Sequence, residues 1–365
     1  MTFYDAVIIG GGPAGSTCAW ALGRAGLDVL ILDKSQFPRD KVCAGWVTPN
    51  VLDSLNFNLE EYRQHHTLQE FKSFRTGLFQ SPMVTTDYGE TVSYGILRRE
   101  FDNYLLRRSG AELRLGEGLK SLENHQGEWL INNSLKTPMV IGAGGHFCPV
   151  ARKLNPQKHD DTEVVFAQEY EIELDDVQQD QCGVQADRPE LYFLPELDGY
   201  GWSVRKGNFL NVGLGRTDNH QLSKYVTRFH QFLEKEGKIP ADASKNFRGH
   251  AYRLASRYKR RKLVDTGIML IGDAAGLAYP KSGEGIYTAV ASGLMGAETV
   301  LAADKNYKAD NLNSYLTKLD DFLGDEYVEG ESPVIDNIKR FLAPPLFKSR
   351  YFSRHYLLDK WFLHQ

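Results

Sequence analysis

Residues Tyr4–Gly15 read YDAVIIGGGPAG, an apolar strand that runs directly into a glycine-rich turn and a helix of small residues. Gly10 allows the tight turn, Gly12 lets the main chain approach a pyrophosphate, and Gly15 lets the helix pack closely on the strand. A second apolar strand follows, and Asp33 stands at its end, where a carboxylate accepts from a ribose hydroxyl. The spacing therefore predicts a βαβ unit that binds the ADP part of a dinucleotide at a helix N-terminus.

The composition predicts two domains, or one α/β domain that carries a large insertion. The chain has 365 residues and a net charge of -4, which argues against nucleic acid as a partner. Its four cysteines show no CxxC pattern and its ten histidines show no metal-binding spacing, so we expect neither a disulfide framework nor a metal site. The N-terminus lacks the basic segment of a signal peptide, and no apolar run approaches the length of a membrane span. We therefore expect a cytoplasmic protein, at most peripheral to a membrane.

Apolar periodicity along the chain predicts an α/β fold with a doubly wound, Rossmann-like nucleotide-binding domain. Buried strands are expected at 138–143 and 267–271, and strand-like alternation covers 68–94 and much of 162–217. The nucleotide-binding domain is predicted to be discontinuous, with an inserted antiparallel-sheet domain for the substrate and a helical C-terminal segment. The predicted bounds are 1–70, 95–155 and 255–305 for the first domain, 71–94 and 156–254 for the second, and 306–365 for the C-terminal segment.

A second glycine cluster lies far along the chain, where residues 271–286 read IGDAAGLAYPKSGEGI. A dehydrogenase that binds NAD needs only the first βαβ unit, so the second cluster indicates a longer cofactor. Asp273, at the end of a buried strand, suits a polyhydroxylated ribityl chain. Gly283 and Gly285 open the next helix, whose N-terminal end can face the N1/O2 edge of a flavin and stabilise the anion formed on reduction. The two clusters together predict FAD.

With these motifs the chain resembles the FAD-dependent oxidoreductases of the geranylgeranyl reductase type, within the superfamily of the aromatic hydroxylases. Residues 39–45, RDKVCAG, resemble the loop that passes over the flavin, and Arg98 matches an arginine that reaches the FAD phosphates. The resemblance implies FAD bound non-covalently. The predicted cofactor-binding residues are Gly10, Gly12, Pro13, Ala14, Gly15, Asp33, Lys34, Lys41, Cys43, Ala44, Arg98, Gly144, Gly272, Asp273, Pro280, Gly283, Gly285 and Ile286.

Residues 192–213, YFLPELDGYGWSVRKGNFLNVG, resemble the motif that lines the substrate cavity of these reductases. Tyr192, Tyr200 and Trp202 alternate as on one strand face, and they either wall an apolar slot or fill an ordinary sheet core. The chain departs from the motif at Val204–Arg205, where the reductases have Phe-Pro.

Cys43, Tyr200 and Trp202 are the candidate catalytic or cavity residues. The reductases often have a cysteine at the position of Cys43, and its thiol either donates a proton near the flavin or only packs. Lys41 either hydrogen-bonds the flavin or is a solvated loop lysine.

The resemblance implies an oxidoreductase that acts on an apolar substrate, isoprenoid or polycyclic, by reducing carbon–carbon double bonds. A monooxygenase that uses a flavin hydroperoxide, a flavin halogenase and a non-catalytic flavin-binding protein remain alternatives. Gly144 stands where the hydroxylases have an Asp that handles both FAD and the nicotinamide donor. The electron donor is therefore either NAD(P)H or a redox partner protein. We expect slow reduction by free NADPH, and fast reduction only by a protein donor or when substrate is bound.

The C-terminal tail from Asp336 carries six Lys or Arg against two Asp, interleaved with aromatic residues such as Phe341 and Phe347. Such a segment either docks on a membrane surface to collect a lipid or caps the interface between the domains.

Overall fold

The computed structural model of the chain describes residues 1–156, 163–243, 245–256, 259–324 and 343–364. These residues form two compact units. The first holds the described residues of Met1–Asp40, Arg99–Glu163 and Tyr252–Glu329, and the second those of Lys41–Arg98, Val164–Ala251 and Gly330–Gln365.

The strands, in chain order, are β1 (Thr2–Phe3), β2 (Ala6–Ile9), β3 (Val29–Asp33), β4 (Trp46–Val47), β5 (Leu68–Phe71), β6 (Ser73–Leu78), β7 (Val84–Asp87), β8 (Ser93–Ile96), β9 (Glu112–Leu115), β10 (Leu122–His125), β11 (Glu128–Ile131), β12 (Leu135–Thr137), β13 (Val140–Gly142), β14 (Val164–Glu173), β15 (Glu190–Phe193), β16 (Gly199–Lys206), β17 (Phe209–Arg216), β18 (Arg248–Arg253), β19 (Val264–Asp265) and β20 (Ile268–Leu270).

The helices are α1 (Pro13–Arg24), α2 (Pro49–Ser54), α3 (Leu59–Arg63), α4 (Arg98–Arg108), α5 (Pro149–Leu154), α6 (Asp176–Gln181), α7 (Leu222–Lys235), α8 (Ile286–Ala302), α9 (Ala309–Leu312) and α10 (Ser314–Leu323). The described residues also form a 3-10 turn (Gly272–Ala274), a helical turn (Arg350–Phe352) and a π-helix (Ser353–Phe362). No helix within the described ranges combines the length and the apolar character that a bilayer crossing requires.

The first unit is built on a sheet whose described strands run in the order β19-β20-β13-β2-β3-β9, all parallel except β19. Strands β2 and β3 are buried along their whole length, as expected for parallel strands covered on both faces. Helices α1 and α8 approach so closely that a side chain at Gly293 would lie 2.6 Å from the carbonyl oxygen of Ala14. The α/β class with a Rossmann-like domain, expected from the first glycine turn, is confirmed by this sheet.

The second unit is built on a sheet with the described strand order β18-β14-β17-β16-β15-β6-β7, beside a small sheet of β4, β8 and β5. Its pairs are antiparallel where the long strands meet, as predicted, but β15 runs parallel to β6. Residues 41–70 fall in this unit, although the sequence pattern placed them in the first domain. The reason is pairing, because both Trp46–Val47 and Leu68–Phe71 hydrogen-bond to Ser93–Ile96.

The register of the second sheet separates Tyr192 from Tyr200 and Trp202. Tyr192 on β15 lies opposite Gly201 on β16, whereas Phe193 lies opposite Tyr200. Directly opposed residues share a sheet face, so Tyr192 points away from the other two side chains. Tyr192 packs instead on α7, with its ring 5.2 Å from that of Phe229. The expectation that these three aromatic residues line one face was wrong, because the alternation spans two strands rather than one.

Candidate functional site

The first glycine turn follows β2 at the carboxyl end of the parallel sheet. Gly10 has φ +116°, and a side chain there would lie 2.4 Å from the carbonyl oxygen of Ala143. A side chain at Gly15 would lie 2.0 Å from the carbonyl oxygen of Gly10, so neither position admits one. At Gly12, by contrast, an added Cβ would meet only Arg39 Nη2, at 3.5 Å. The turn is therefore tightly packed at Gly10 and Gly15 but open beside Gly12. A bound pyrophosphate requires such an opening.

Arg39 supplies a cation at this opening. Its Nη2 lies 3.2 Å from a carboxylate oxygen of Asp102, which is fully buried. Its Nη1 is buried and has no hydrogen-bond partner among the residues that the structure describes. A buried donor with nothing to donate to is costly unless a ligand supplies the acceptor, and guanidinium groups pair well with phosphate oxygens. The residues present therefore fit the FAD pyrophosphate. The sequence pointed to Arg39 only as the first residue of the RDKVCAG motif.

Asp33, predicted to accept from a ribose hydroxyl, lies beside the same turn and hydrogen-bonds to it. Its Oδ2 accepts from the Gly11 N–H at 2.7 Å, and its Oδ1 accepts from the Ser35 N–H at 2.8 Å. A carboxylate offers about four lone-pair sites, so acceptor capacity remains for ribose hydroxyls. Asp33 thus holds the glycine turn in place as well as presenting oxygens, a second role that spacing alone did not reveal. Lys34, beside it, is exposed.

The second glycine turn lies against the start of α1. A side chain at Gly272 would come 2.8 Å from the Cβ of Ala14, the second residue of that helix. The Gly272 N–H donates to Ser292 Oγ of α8 at 3.0 Å, which fixes the turn from the other side. The carboxylate of Asp273 lies next to the start of α8, since an added Cβ at Gly285 would be 3.3 Å from its Oδ1. The two glycine motifs, distant in sequence, therefore meet at one edge of the sheet.

The remaining residues predicted to bind the cofactor lie near element ends. Ile286 begins α8, and Pro280 and Gly283 lie in the loop before it. Gly144 is exposed just after β13, a strand that pairs with β2. Arg98 is buried at the start of α4, at the boundary of the second unit.

The loop of the RDKVCAG motif continues into the second unit, where side chains of the large sheet hold its main chain. The Cys43 N–H donates to Glu169 Oε1 at 2.7 Å, and the Cys43 carbonyl accepts from Asn211 Nδ2 at 3.2 Å. Lys206, fully buried, donates from Nζ to the carbonyl oxygens of Ala44 at 3.0 Å and Ile96 at 3.1 Å. The Cys43 residue itself is only partly buried. Cys43 is thus a partly buried residue on a main chain that side chains hold at both its N–H and its carbonyl.

Gly45 ends this loop in a conformation that favours glycine. Its φ is +69°, and an added Cβ would lie 2.1 Å from the carbonyl oxygen of Ile96 and 2.7 Å from Lys206 Nζ. Its N–H donates to Cys43 Sγ at 3.4 Å. Lys41, at the other end of the loop, contacts the ring of His250.

The reductase-like motif of β16 and β17 supplies most of this support. Trp202 Nε1 donates to Asn211 Oδ1 at 2.7 Å, which orients the amide so that its Nδ2 faces Cys43. Gly213 leaves room for both neighbours, because an added Cβ would lie 2.2 Å from the Trp202 ring and 2.8 Å from the Glu169 Cβ. Lys206, Asn211 and Gly213 were quoted in the motif without a role, and Glu169, on β14, lies outside it.

The aromatic end of the same sheet face is covered by the C-terminal segment. The Phe362 ring lies 5.6 Å from that of Tyr200 and stacks at 5.4 Å on Trp46. Phe347 lies 4.9 Å from Phe193. Tyr200, which was predicted to wall a substrate slot, therefore packs on the chain's own tail in this structure. The first part of that tail, with Phe341, lies outside the described residues.

Glu169, which accepts from the Cys43 N–H, is buried, and this burial changes the pKa of its carboxyl. Burial, augmented by the charge of Glu171, raises the pKa of Glu169 to about 7, while the Cys43 N–H and Lys206 act in the opposite direction. Glu169 therefore exchanges a proton near neutral pH. Within the described ranges, no cluster of three or more His, Cys, Asp or Glu is arranged to hold a metal ion.

Comparisons with known proteins agree with this geometry. The family model described as "FAD binding domain" matches residues 4–315. The geranylgeranyl diphosphate reductase of Rhodobacter capsulatus is 29% identical over 332 residues, 85% of this chain and 78% of that protein. The digeranylgeranylglycerophospholipid reductase of Methanocaldococcus jannaschii is 26% identical over 334 residues, 86% of this chain and 81% of that protein. An uncharacterized protein of Methanosarcina barkeri is 30% identical over 313 residues, 84% of this chain and 76% of that protein.

Solved structures show the same fold. A geranylgeranyl bacteriochlorophyll reductase-like protein from Thermoplasma acidophilum superposes with a TM-score of 0.75 at 22% identity, covering 95% of this chain and 88% of that one. The halogenase PltM in complex with phloroglucinol and FAD gives a TM-score of 0.66 at 18% identity, covering 86% of this chain and 72% of that one.

Proposed function

Since the chain belongs to the FAD-binding-domain family of oxidoreductases, and to the geranylgeranyl reductase type within it, we propose that it reduces carbon–carbon double bonds of an apolar isoprenoid or polycyclic substrate. The relatives named reductases of geranylgeranyl compounds support this choice of substrate class. The observation that carries the proposal is the Cys43 loop, which presents a thiol on a main chain held by Glu169, Asn211 and Lys206.

The residues of the first unit bind and orient the cofactor. Arg39 and the open side of Gly12 hold the pyrophosphate, Asp33 accepts from the ribose, and Asp273 accepts from the ribityl chain. When bound and reduced, FAD supplies the hydride that one alkene carbon receives.

The second alkene carbon needs a proton. In our proposal Cys43 Sγ holds that proton, gives it to the carbon, and is reprotonated from solvent afterwards. Fixing the Cys43 main chain limits where the thiol can lie, and a well-placed acid contributes on the order of a hundredfold or more to such a step.

Gly144 bears on the choice of electron donor. This residue offers no side chain to handle a nicotinamide, so we propose that a protein donor, rather than free NADPH, delivers the electrons.

The outer side of the C-terminal segment has a composition that fits an anionic lipid surface, and we propose peripheral docking there. Leu346, Tyr351 and Tyr356 are exposed. Among them stand four exposed cations: Lys348, Arg350, Arg354 and Lys360. Co-sedimentation with vesicles that contain anionic lipid, but not with neutral vesicles, is the expected result; equal binding to both would contradict it.

The test of the reaction uses the FAD-loaded protein, reduced by dithionite without oxygen and mixed with geranylgeranyl diphosphate. We expect oxidised flavin and a product heavier by two hydrogens for each double bond reduced. Cys43→Ala should retain FAD yet form product about a hundredfold more slowly. A hydroxylated product that forms only after oxygen is admitted would show a monooxygenase instead.

A further inference from the structure

The two carboxylate oxygens of Glu169 differ, because one accepts a hydrogen bond from a main-chain N–H and the other has no partner among the described residues. It lies in the middle of β14 and is only 4% exposed. Its Oε1 accepts from the Cys43 N–H at 2.7 Å. Its Oε2 is buried and has no hydrogen-bond partner among the described parts of the chain. A buried carboxylate oxygen without a donor is unfavourable when charged, so this position favours a bound proton.

The other polar group of the Cys43 main chain is held by a side chain that cannot titrate. Asn211 donates to the Cys43 carbonyl at 3.2 Å, and Trp202 fixes the orientation of that amide. Of the two side chains that grip Cys43, Glu169 alone changes its charge near neutral pH. A purely structural grip on the N–H would be served as well by a glutamine, which also offers an acceptor oxygen.

Two charged side chains act on Glu169: Lys206 from the neighbouring part of the sheet and Glu171 from its own strand. Lys206 of β16 is paired with Glu171 of β14, two residues from Glu169 on the same face. His250 of β18 contacts Lys41, near Cys43. Lys206 is thus already engaged by another carboxylate and by two carbonyl oxygens.

We propose that Glu169 is the positioning residue for Cys43, and that gain or loss of a proton at its carboxyl sets how firmly the Cys43 main chain is held for proton delivery. The inference rests on the proposed alkene reduction for its chemical meaning. Ionised Glu169 makes a charge-assisted hydrogen bond to the Cys43 N–H, roughly twice as strong as the bond to the neutral carboxyl. The proton step at Cys43 is therefore expected to depend on an acid that never touches the substrate.

Hydrogen exchange of the Cys43 amide tests, without substrate or turnover, whether the protonation of Glu169 sets how firmly the Cys43 main chain is held. In the native protein, the protection of this amide, corrected for intrinsic exchange, should rise on the order of fivefold between pH 6 and pH 8. Glu169→Gln should abolish the rise. Glu173→Gln, at the exposed end of the same strand, should keep it, and so should His250→Asn. Absence of the rise in the native protein, or its survival in Glu169→Gln, would overturn the proposal even if a variant folds poorly.

Product formation by the prereduced protein tests whether Glu169 affects proton delivery by Cys43. The native rate should change with a midpoint near pH 7, and Glu169→Gln should remove that midpoint while leaving KM for the prenyl substrate unchanged. An unchanged pH profile in Glu169→Gln would refute the link to proton delivery. If the native protein forms no reduced product at all, the proposed function fails, whereas the exchange result still decides whether Glu169 positions Cys43.

Discussion

Replacing Glu169 by glutamine should change how the stability of the protein depends on pH. Burial raises the pKa of Glu169 from 4.5 to about 7, so the folded chain binds this proton more tightly than the unfolded chain. The stabilisation from that proton is fully present below about pH 4.5 and is lost as the pH rises through about 7. At about 1.4 kcal/mol for each pH unit, the loss amounts to at most about 3 kcal/mol.

Glu169→Gln carries no titrating proton, so its stability relative to the native protein should rise by up to about 3 kcal/mol between pH 4.5 and pH 8. Only the change with pH matters, because the cost of burying the glutamine amide is the same at every pH. Urea unfolding at several pH values measures it, with Glu173→Gln as the control for loss of one charge on β14. A constant difference between native protein and Glu169→Gln across this range would refute the reasoning.

Four substitutions and one kinetic measurement test the remaining sites. Gly12→Ala should fold normally but lose FAD, whereas Gly15→Ala should lose about 2 kcal/mol or more of unfolding free energy. Measurements of flavin content and urea unfolding distinguish these two effects. Equal flavin loss in both variants, with no destabilisation of either, would contradict the packing argument. Asp273→Ala should weaken FAD retention at least tenfold in ultrafiltration, since charge-assisted hydrogen bonds contribute about 1.5–3 kcal/mol each; full retention would mean that the ribityl chain lies elsewhere. Phe362→Ala should cost about 3 kcal/mol of unfolding free energy, and a neutral effect would show that the tail does not pack on the sheet. With Gly144 present, stopped-flow reduction by NADPH alone should stay well below about 10 per second, and a rate at or above that value would reject the need for a protein donor.

The parts of the site that depend on local spacing were predictable from the sequence. The strand, the glycine turn, α1 and Asp33 lie within one short stretch, and each residue type there is demanded by one main-chain geometry. The second glycine cluster was recognisable for the same reason. The family recognised from these motifs is confirmed by the match to residues 4–315 and by the named relatives.

The parts that depend on strand register were not predictable. Tyr192 was assigned to the wrong sheet face because the chain reverses between it and Tyr200. Glu169 was missed because its partner, Cys43, is 126 positions away and the contact is to the main chain, which leaves no trace in residue types. Arg39 became a candidate ligand only when the structure showed its buried Nη1 next to Gly12.

At Val204–Arg205, where the chain departs from the reductase motif, the two side chains lie on opposite faces of the sheet. Val204 is fully buried in the aromatic cluster, on the face that also carries Trp202 and Lys206. Arg205 points to the opposite face, where its guanidinium donates to Gln179 at 3.1 Å. Neither side chain takes part in a hydrogen bond to the Cys43 loop, so replacing the usual Phe-Pro pair leaves the support of that loop intact. What the replacement changes is the volume beside Tyr200 and Trp202, on the face that the C-terminal segment covers, rather than the way in which the chain holds the main chain of Cys43.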